Sequence, residues 1–567
     1  MLQIILTLVI FMILVIPMGT YMYHIATKQK TFADPVLNQV DNAIYKVCHI
    51  NRTGMNWKQY TLSLILTNAV MVMVGYFILR VQGVLLGNPN GIGAMEASLS
   101  YNTIVSFMTN TNLQHYSGES GLSYLSQMLV IIFMMFTSAA SGYAACMAFC
   151  RGLAGKTKDV GNFYEDMLRI TTRILIPIAF LVGLLLVSQG VPQTLQGNQT
   201  IHTIEGTFQD LAMGPVAALE SIKHLGTNGG GFFGANSATP FENPTVISNI
   251  VEMISMMILP GACVVTFGKM LHRRKKEEKT PWIGKQGKVI FAAMAVIFLL
   301  GLSLCYQAEL AGNPTLAKAG LNQTAGSMEG KEVRFGIAQS TLFTTVTTSF
   351  TTGTVNNMHD TLTPLGGLVP MLHMMLNCVF GGKGVGLMNM IMYAILAVFL
   401  CGLMIGRTPE YLGKKIEGKE MKLVALVLII HPLLILGFSA LAVSTGSGLA
   451  GISNPGFHGL SQVLYEYASS SANNGSGFEG LADNTVFWNV TAGLAMFFGR
   501  YITMIAQLAI AGSLLAKKRM NESIGTLRTD NVIFTITLIA VVYIFAALTF
   551  FPALALGPIA EHLTLWY

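Results

Sequence analysis

The sequence predicts an all-α polytopic membrane protein of about ten transmembrane helices, arranged as four helix–pore-loop–helix pseudo-repeats. Three observations predict it. Only 11% of the 567 residues are charged while 52% are hydrophobic, and the mean hydropathy is +0.56; soluble domains carry charge on about a quarter of their residues. Apolar runs that meet the length of about 20 residues needed to cross a bilayer recur along the chain. Basic residues gather in every second loop between those runs.

The runs lie near 2–23, 61–82, 124–150, 169–190, 245–271, 288–308, 368–406, 422–444, 485–515 and 533–557. The first lacks a basic leading segment and a small-residue cleavage site, so it reads as a retained helix. Loop charge then sets orientation. Lys28, Lys30, Lys46, Arg52 and Lys58 follow the first run, and Arg151, Lys156 and Lys158 the third. Arg273–Lys276 follow the fifth, Arg407, Lys414 and Lys415 the seventh, and Lys517, Lys518 and Arg519 the ninth. This alternation puts those loops in the cytoplasm and both termini outside. It also explains the net charge of +7 through the lipid bilayer, with no nucleic acid involved. The seven cysteines form no Cys-x-x-Cys pair and read as small packing residues, not as zinc or disulfide chemistry.

The outward loops carry the most specific text. Each has a moderately apolar stretch followed by a short tract rich in Thr, Asn, Ser and Gly. The tracts are Thr109-Asn110-Thr111-Asn112, Gly226-Thr227-Asn228-Gly229-Gly230-Gly231, Thr351-Thr352-Gly353-Thr354-Val355-Asn356 and Ala472-Asn473-Asn474-Gly475-Ser476-Gly477. Recurrence at about 120 residues is too long for a solenoid and suits repeated membrane modules. The expected division is 1–60 for the first helix and its loop, then repeats over 61–160, 161–280, 281–416 and 417–520, with a final helix in 521–567.

Irregular backbone at membrane depth is tolerated only where it lines a cavity. Glycine lets such backbone turn its carbonyls toward one axis, and Thr and Asn add side-chain oxygens. Four tracts around an axis can replace a cation's water shell, as potassium filters do, and short helices preceding them would aim their negative ends inward. A single tract of this kind would read as a surface turn; four at matching places do not. An acidic residue follows each tract, namely Glu119, Glu242, Asp360 and Glu479. These form either a cation-concentrating mouth or ordinary solvated loop acids.

Several long motifs resemble one family. They are Thr109–Asn112 with Gln114, Thr227-Asn228-Gly229-Gly230-Gly231-Phe232-Phe233, Gly353–Asp360, Ala472–Ser476 and Gly406–Lys415. The chain resembles, over essentially its full length, the potassium-binding A subunit (KdpA) of the bacterial Kdp potassium-transporting P-type ATPase. The resemblance implies a fold of the potassium-transporter superfamily and K+ as the transported ion. It places ATP hydrolysis on a catalytic B subunit, beside a C subunit and a small F subunit, in the bacterial inner membrane. In keeping with a non-hydrolytic subunit, neither an Asp-Lys-Thr-Gly motif nor a Gly-x4-Gly-Lys-Ser/Thr loop occurs.

Carried over by resemblance, the filter positions are Thr109, Asn110, Thr111 and Asn112; Thr227, Asn228, Gly229 and Gly230; Thr352, Gly353, Thr354 and Val355; and Asn473, Asn474, Gly475 and Ser476. Gln114 resembles a position tied to potassium affinity. The chain departs from the family pattern at Thr352, where a cysteine is expected. It departs again near Cys378, where an acidic residue is expected, and at Lys383, where an uncharged one is.

Two further residues stand out by position. Arg500 sits in the middle of an apolar run and must face the bundle interior, where it either borders a vestibule below the filter or pairs with backbone carbonyls. Lys383 lies in Gly381-Gly382-Lys383-Gly384-Val385-Gly386, whose glycine density should break the helix into a gating loop rather than merely allow a close crossing. Glu252, His373 and His431 read as buried packing or hydrogen-bonded groups, and no His/Glu/Cys set has metal-ligand spacing. An intramembrane enzyme would need clustered acid, base or metal ligands, and a scaffold would have no use for four such tracts. The nearest rival is an ATP-independent potassium channel or symporter of the same superfamily.

Overall fold

The computed structural model describes residues 2–272, 281–406, 408–520 and 527–566. The Arg273–Lys276 cluster and Arg407 lie outside the described residues.

Among the described residues, ten helices are long and apolar enough to cross a membrane. They are Leu2–Ala26, Trp57–Val84, Tyr124–Ala154, Phe163–Ser188, Val246–Leu271, Lys285–Lys318, Gly382–Met404, Gly418–Ser444, Val486–Ala516 and Val532–Trp566, called spans 1 to 10 below. The expected seventh run, 368–406, is corrected. It is two helices, Pro364–Leu376 and Val385–Ile405, parted by a bend. Asn377, Phe380 and Lys383 there have φ of 44°, 58° and 49°, and Gly381 and Gly384 have 50° and 82°. Backbone in this left-handed region cannot continue a helix, so apolar length alone overcounts the span.

Between spans lie four short helices that penetrate the bundle: Ala97–Met108, Val216–Leu225, Gly336–Ser349 and Phe457–Ala472. Nearly every residue of the middle two is buried, which a surface helix would not be. Each lies between consecutive spans and runs into one of the Thr/Asn/Gly tracts. Among the described residues, two small antiparallel hairpins accompany the helices, Gln199–His202 with Phe208–Leu211 and Glu410–Tyr411 with Lys414–Lys415.

Small residues let the spans approach closely, because helix association in lipid depends on packing rather than on the hydrophobic effect. Span 1 lies along span 5, where Gly261 faces Phe11 and Val15; a Cβ there would sit 2.8 Å from atoms of both. Where spans 5 and 6 cross, Gly268 faces Gly287, and a Cβ on either would lie 2.9 Å from the other's Cα.

The basic loops meet on one face. Lys156 Nζ donates to the His272 carbonyl at 2.7 Å, joining the loops after spans 3 and 5. Met520 N donates to the Gly413 carbonyl at 2.8 Å, joining those after spans 9 and 7. Between spans 1 and 2 an amphipathic helix, Asp34–Val47, is tied down by Arg173 through Asp34 at 3.0 Å and through Asp41. Lys28 and Arg52 share Glu165 at 2.6 and 3.2 Å.

Gly261→Val should drive a branched side chain into Phe11 and Val15, and such overpacking costs about 1–3 kcal/mol. The expected outcome is a lower thermal midpoint in detergent, followed by loss of the monodisperse chromatographic peak; an unchanged midpoint would contradict the close crossing.

Candidate cation-binding site

The four short helices end in the same way. In each, an N–H reaches back five residues to a helical carbonyl: Thr111 to Ser106 at 2.9 Å, Asn228 to Lys223 at 2.8 Å, Thr352 to Thr347 at 2.8 Å and Asn474 to Ser469 at 2.9 Å. The residue before each donor is left-handed, with φ of 62° at Asn110, 52° at Thr227, 51° at Thr351 and 55° at Asn473. This turn ends the helix and sends the chain back as an irregular strand whose carbonyls are free of the helical ladder.

That shared closure sets the register between tracts. Asn110, Thr227, Thr351 and Asn473 are equivalent, as are Asn112, Gly229, Gly353 and Gly475. The sequence-based tracts beginning at Thr227 and Asn473 start at the turn. The first, Thr109–Asn112, starts one residue early, and the third, Thr352–Val355, one residue late, omitting Thr351. Thr344, Thr345, Thr347 and Thr348 already lie in the third helix, so composition does not change where the helix stops.

The tracts converge. A Cβ on Gly475 would overlap the Thr111 carbonyl, one on Gly353 would overlap that of Asn474, and one on Gly229 would lie 2.6 Å from Thr111 O and 3.0 Å from Asn474 O. Gly229 N donates to Thr111 O at 3.2 Å. Side chains also cross between tracts: Asn110 Nδ2 donates to Thr227 O at 2.8 Å, and Asn473 Nδ2 to Thr111 Oγ1 at 3.0 Å. Thr354 Oγ1 and Ser237 Oγ lie 3.2 Å apart, tying the third tract to the loop after the second. Only glycine leaves room for this approach. Asn112 Oδ1, Asn228 Oδ1 and Thr352 Oγ1 are buried and have no hydrogen-bond partner among the described residues.

Gln114 clamps the first tract to the second. Its Oε1 accepts from Gly231 N at 2.9 Å and its Nε2 donates to Gly231 O at 3.0 Å. Above the tracts opens a cavity of about 300 Å³ lined by Gln114, Gly230, Gly353, Val355, Gly475 and Ser476 among others. Below them Lys383 Nζ donates to Asn110 O at 3.0 Å and Asn473 O at 2.9 Å. Arg500, buried in span 9, lines a narrow cavity beneath Asn473.

Comparisons with known proteins identify the family. The family described as potassium-transporting ATPase A subunit matches residues 5–563. The chain belongs to that family. It is 58% identical over 565 residues to the potassium-transporting ATPase potassium-binding subunit of Clostridium acetobutylicum, covering 100% of both chains. It is 54% identical over 562 residues to the protein of that name from Geobacillus kaustophilus, covering 99% of this chain and 98% of the other. Among solved structures, the potassium transporter TrkH from Vibrio parahaemolyticus matches with TM-score 0.51 at 13% identity, covering 80% of this chain and 84% of that one. That likeness concerns the fold alone.

In this A-subunit family member the four acids after the tracts do not form one open ring. Glu242 is fully buried, accepting from Phe233 N at 2.7 Å and pairing with Lys223 at 2.9 Å. Asp360 pairs with His458 at 3.1 Å, and Glu119 accepts from Gly234 N at 3.0 Å. Glu479 lines the outer cavity while accepting from His359 N at 3.2 Å and Asp360 N at 3.0 Å. These carboxylates hold the loops in place.

Sequence reasoning missed His115. Its Nδ1 lies 2.7 Å from Asn489 Oδ1 and its Nε2 3.3 Å from Glu466 Oε1, with Asp483 at 3.8 Å. This set, and the buried Glu220, His224 and Glu252, bring ligand-type atoms within 4.8 Å of one another. The first set draws its members from different elements, whereas Glu220 and His224 share one short helix four residues apart and Glu252 joins them from span 5. In the second set Lys223 already binds Glu220 at 2.6 Å, and His224 Nε2 lies 3.2 Å from Glu252. His373 meets Ser349 Oγ at 2.8 Å, as a packing histidine would. His431 instead lines a cavity, with Ser471 Oγ at 2.7 Å.

Burial works against an imidazolium at His115, but Asp483 and Glu466 outweigh it and push its pKa up to about 9. That shift is upward, so His115 supports the folded loops at low pH, and its contribution is lost as pH rises through about 9. Hydrogen exchange of the 475–483 backbone, corrected for intrinsic rates, should therefore show protection falling as pH rises toward 9, and His115→Gln should flatten the fall. Protection that rises with pH would contradict these assignments.

Proposed function

We propose that this chain is the potassium-binding and translocating subunit of an ATP-driven potassium uptake complex. Potassium enters from the extracytoplasmic side, exchanges water for oxygens of the four tracts, and passes to a P-type ATPase subunit that performs the hydrolysis. The observation carrying this reading is the convergence of four equivalent helix-to-tract turns, packed closely enough that added Cβ atoms would meet neighbouring carbonyls. A ring of backbone oxygens at membrane depth suits a dehydrated monovalent cation. It offers no nucleophile, acid or base for covalent chemistry, in keeping with a subunit that is not itself an enzyme.

On this reading the filter comprises the tracts beginning at Asn110, Thr227, Thr351 and Asn473, and Gln114 sets its outer width. Arg500 is the positive group that discourages ions from continuing straight down. Two narrow cavities share Asn377, Gly499 and Thr503. Together they lead from Asn473 and Arg500 toward Phe545 and Phe550 on span 10. This supports a sideways route toward the ATPase partner. The B, C and F subunits named by the resemblance are the proposed partners, with the ATP site on the B subunit. The basic face formed by the loops after odd-numbered spans supports a cytoplasmic placement of those loops in a bacterial inner membrane, with both termini outside.

The test is ATP hydrolysis by the co-purified complex, stimulated by potassium or sodium, with wild-type chain and Gly230→Asp. A Cβ on Gly230 would lie 2.8 Å from Asn112 O and 2.7 Å from Gln114 Cδ, in a left-handed turn of φ 68°. The expected result is weaker potassium preference with assembly intact. Unchanged ion dependence would contradict the filter assignment, and potassium uptake without ATP would favour the channel or symporter reading.

A further inference from the structure

The bend in span 7 lies across the foot of all four tracts. Gly382 is pressed beneath two of them: a Cβ there would overlap Thr227 Oγ1 and lie 2.7 Å from Thr351 O. The next residue, Lys383, reaches the other two, with Nζ 3.0 Å from Asn110 O and 2.9 Å from Asn473 O. Asn110, Thr227, Thr351 and Asn473 are the equivalent left-handed residues that end the four short helices. Their carbonyls therefore share one level, and the ammonium lies at that level.

Lys383 is fully buried. Among the described residues no carboxylate lies within ion-pairing distance of its Nζ. Burying an ammonium without a counter-ion costs several kcal/mol. What faces it is the set of oxygen dipoles and helix C-terminal ends that would favour a potassium ion. Shape confirms a fitted side chain. Gly142 on span 3 makes the room, since a Cβ there would lie 2.7 Å from Lys383 Cβ and 2.7 Å from Arg500 Nη2.

We propose that the Lys383 ammonium is a tethered cation occupying the innermost ion position of the tracts, and that an arriving potassium ion must displace it to leave the filter. This rests on the filter reading above. A monovalent cation and a protonated amine carry the same charge and compete for the same two carbonyls, so the site is filled when no ion is below the filter. The cavity below, about 10 Å³ and lined by Asn377, Asn473, Gln507 and Arg500, must widen to receive the displaced ammonium. The left-handed residues Asn377, Phe380 and Lys383, with Gly381 and Gly384, supply the backbone freedom for that movement. Arg500 repels the displaced charge and returns it. The device blocks inward leak without sealing the path by apolar side chains.

Anomalous-scattering maps of the complex soaked in thallium(I), a potassium substitute, test this. In the wild type at low thallium, peaks are expected among the tracts but not between Asn110 O and Asn473 O. At saturating thallium an inner peak should appear there, with Nζ moved away. Lys383→Met should show the inner peak at low thallium and bind thallium several-fold more tightly. An unmoved Nζ at saturation overturns the proposal without recourse to any variant, as does a folded Lys383→Met with tract peaks but no inner one. Absence of thallium from every tract overturns the filter reading itself and the tether with it.

Discussion

A backbone carbonyl at membrane depth must be bonded, buried against protein or turned toward something it can solvate. In this chain that constraint is met four times by one device. A short helix ends in a left-handed residue, the next N–H reaches back five residues to close the last turn, and the tracts that follow pack closely against one another. Glycine at Gly229, Gly353 and Gly475 is required by the closeness of those neighbours. The third and fourth tracts are also held from the helices before them, where Thr347 Oγ1 accepts from Gly353 N at 2.9 Å and Ser469 Oγ accepts from Gly475 N at 2.9 Å.

The surrounding charges serve the same end. Buried pairs staple the outer loops to the short helices or to the spans beside them. Lys223 on the second short helix binds Glu242 from the loop after its tract at 2.9 Å. Lys331 binds Glu309 at 2.6 Å, while Glu309 also accepts from Thr363 N at 2.8 Å. Removing one partner of such a pair leaves a buried charge uncompensated, at a cost of about 3–5 kcal/mol. The outer loops are thus pinned by buried pairs where they meet the tracts. The bend of span 7 beneath them is instead built from glycine and left-handed turns.

Much of this was legible from the residues. Ten runs, the basic alternation and four recurring tracts gave the architecture, and the glycine cluster around Lys383 marked the broken span. Three things were not legible. The register of Thr109–Asn112 and Thr352–Val355 depends on where a helix stops, and threonine continues through that boundary without a change of composition. The extent of the seventh span was hidden because Leu368–Val379 and Val385–Val398 are both apolar, so hydropathy counted the short helix Pro364–Leu376 with the span. The acids after the tracts carry no mark of partner choice; Glu242 and Asp360 find Lys223 and His458 only through the fold, as His115 finds Glu466.

The central claim is that oxygens of four separate tracts together select a dehydrated potassium ion. Isothermal titration of the purified full-length chain with potassium, in sodium-containing and in choline-containing buffer, tests it most directly when paired with Gly475→Ala, whose methyl group would overlap the Thr111 carbonyl. The account predicts saturable potassium binding that sodium does not displace and that the variant loses while remaining folded. Equal binding of sodium, or unchanged potassium binding by the folded variant, would contradict it.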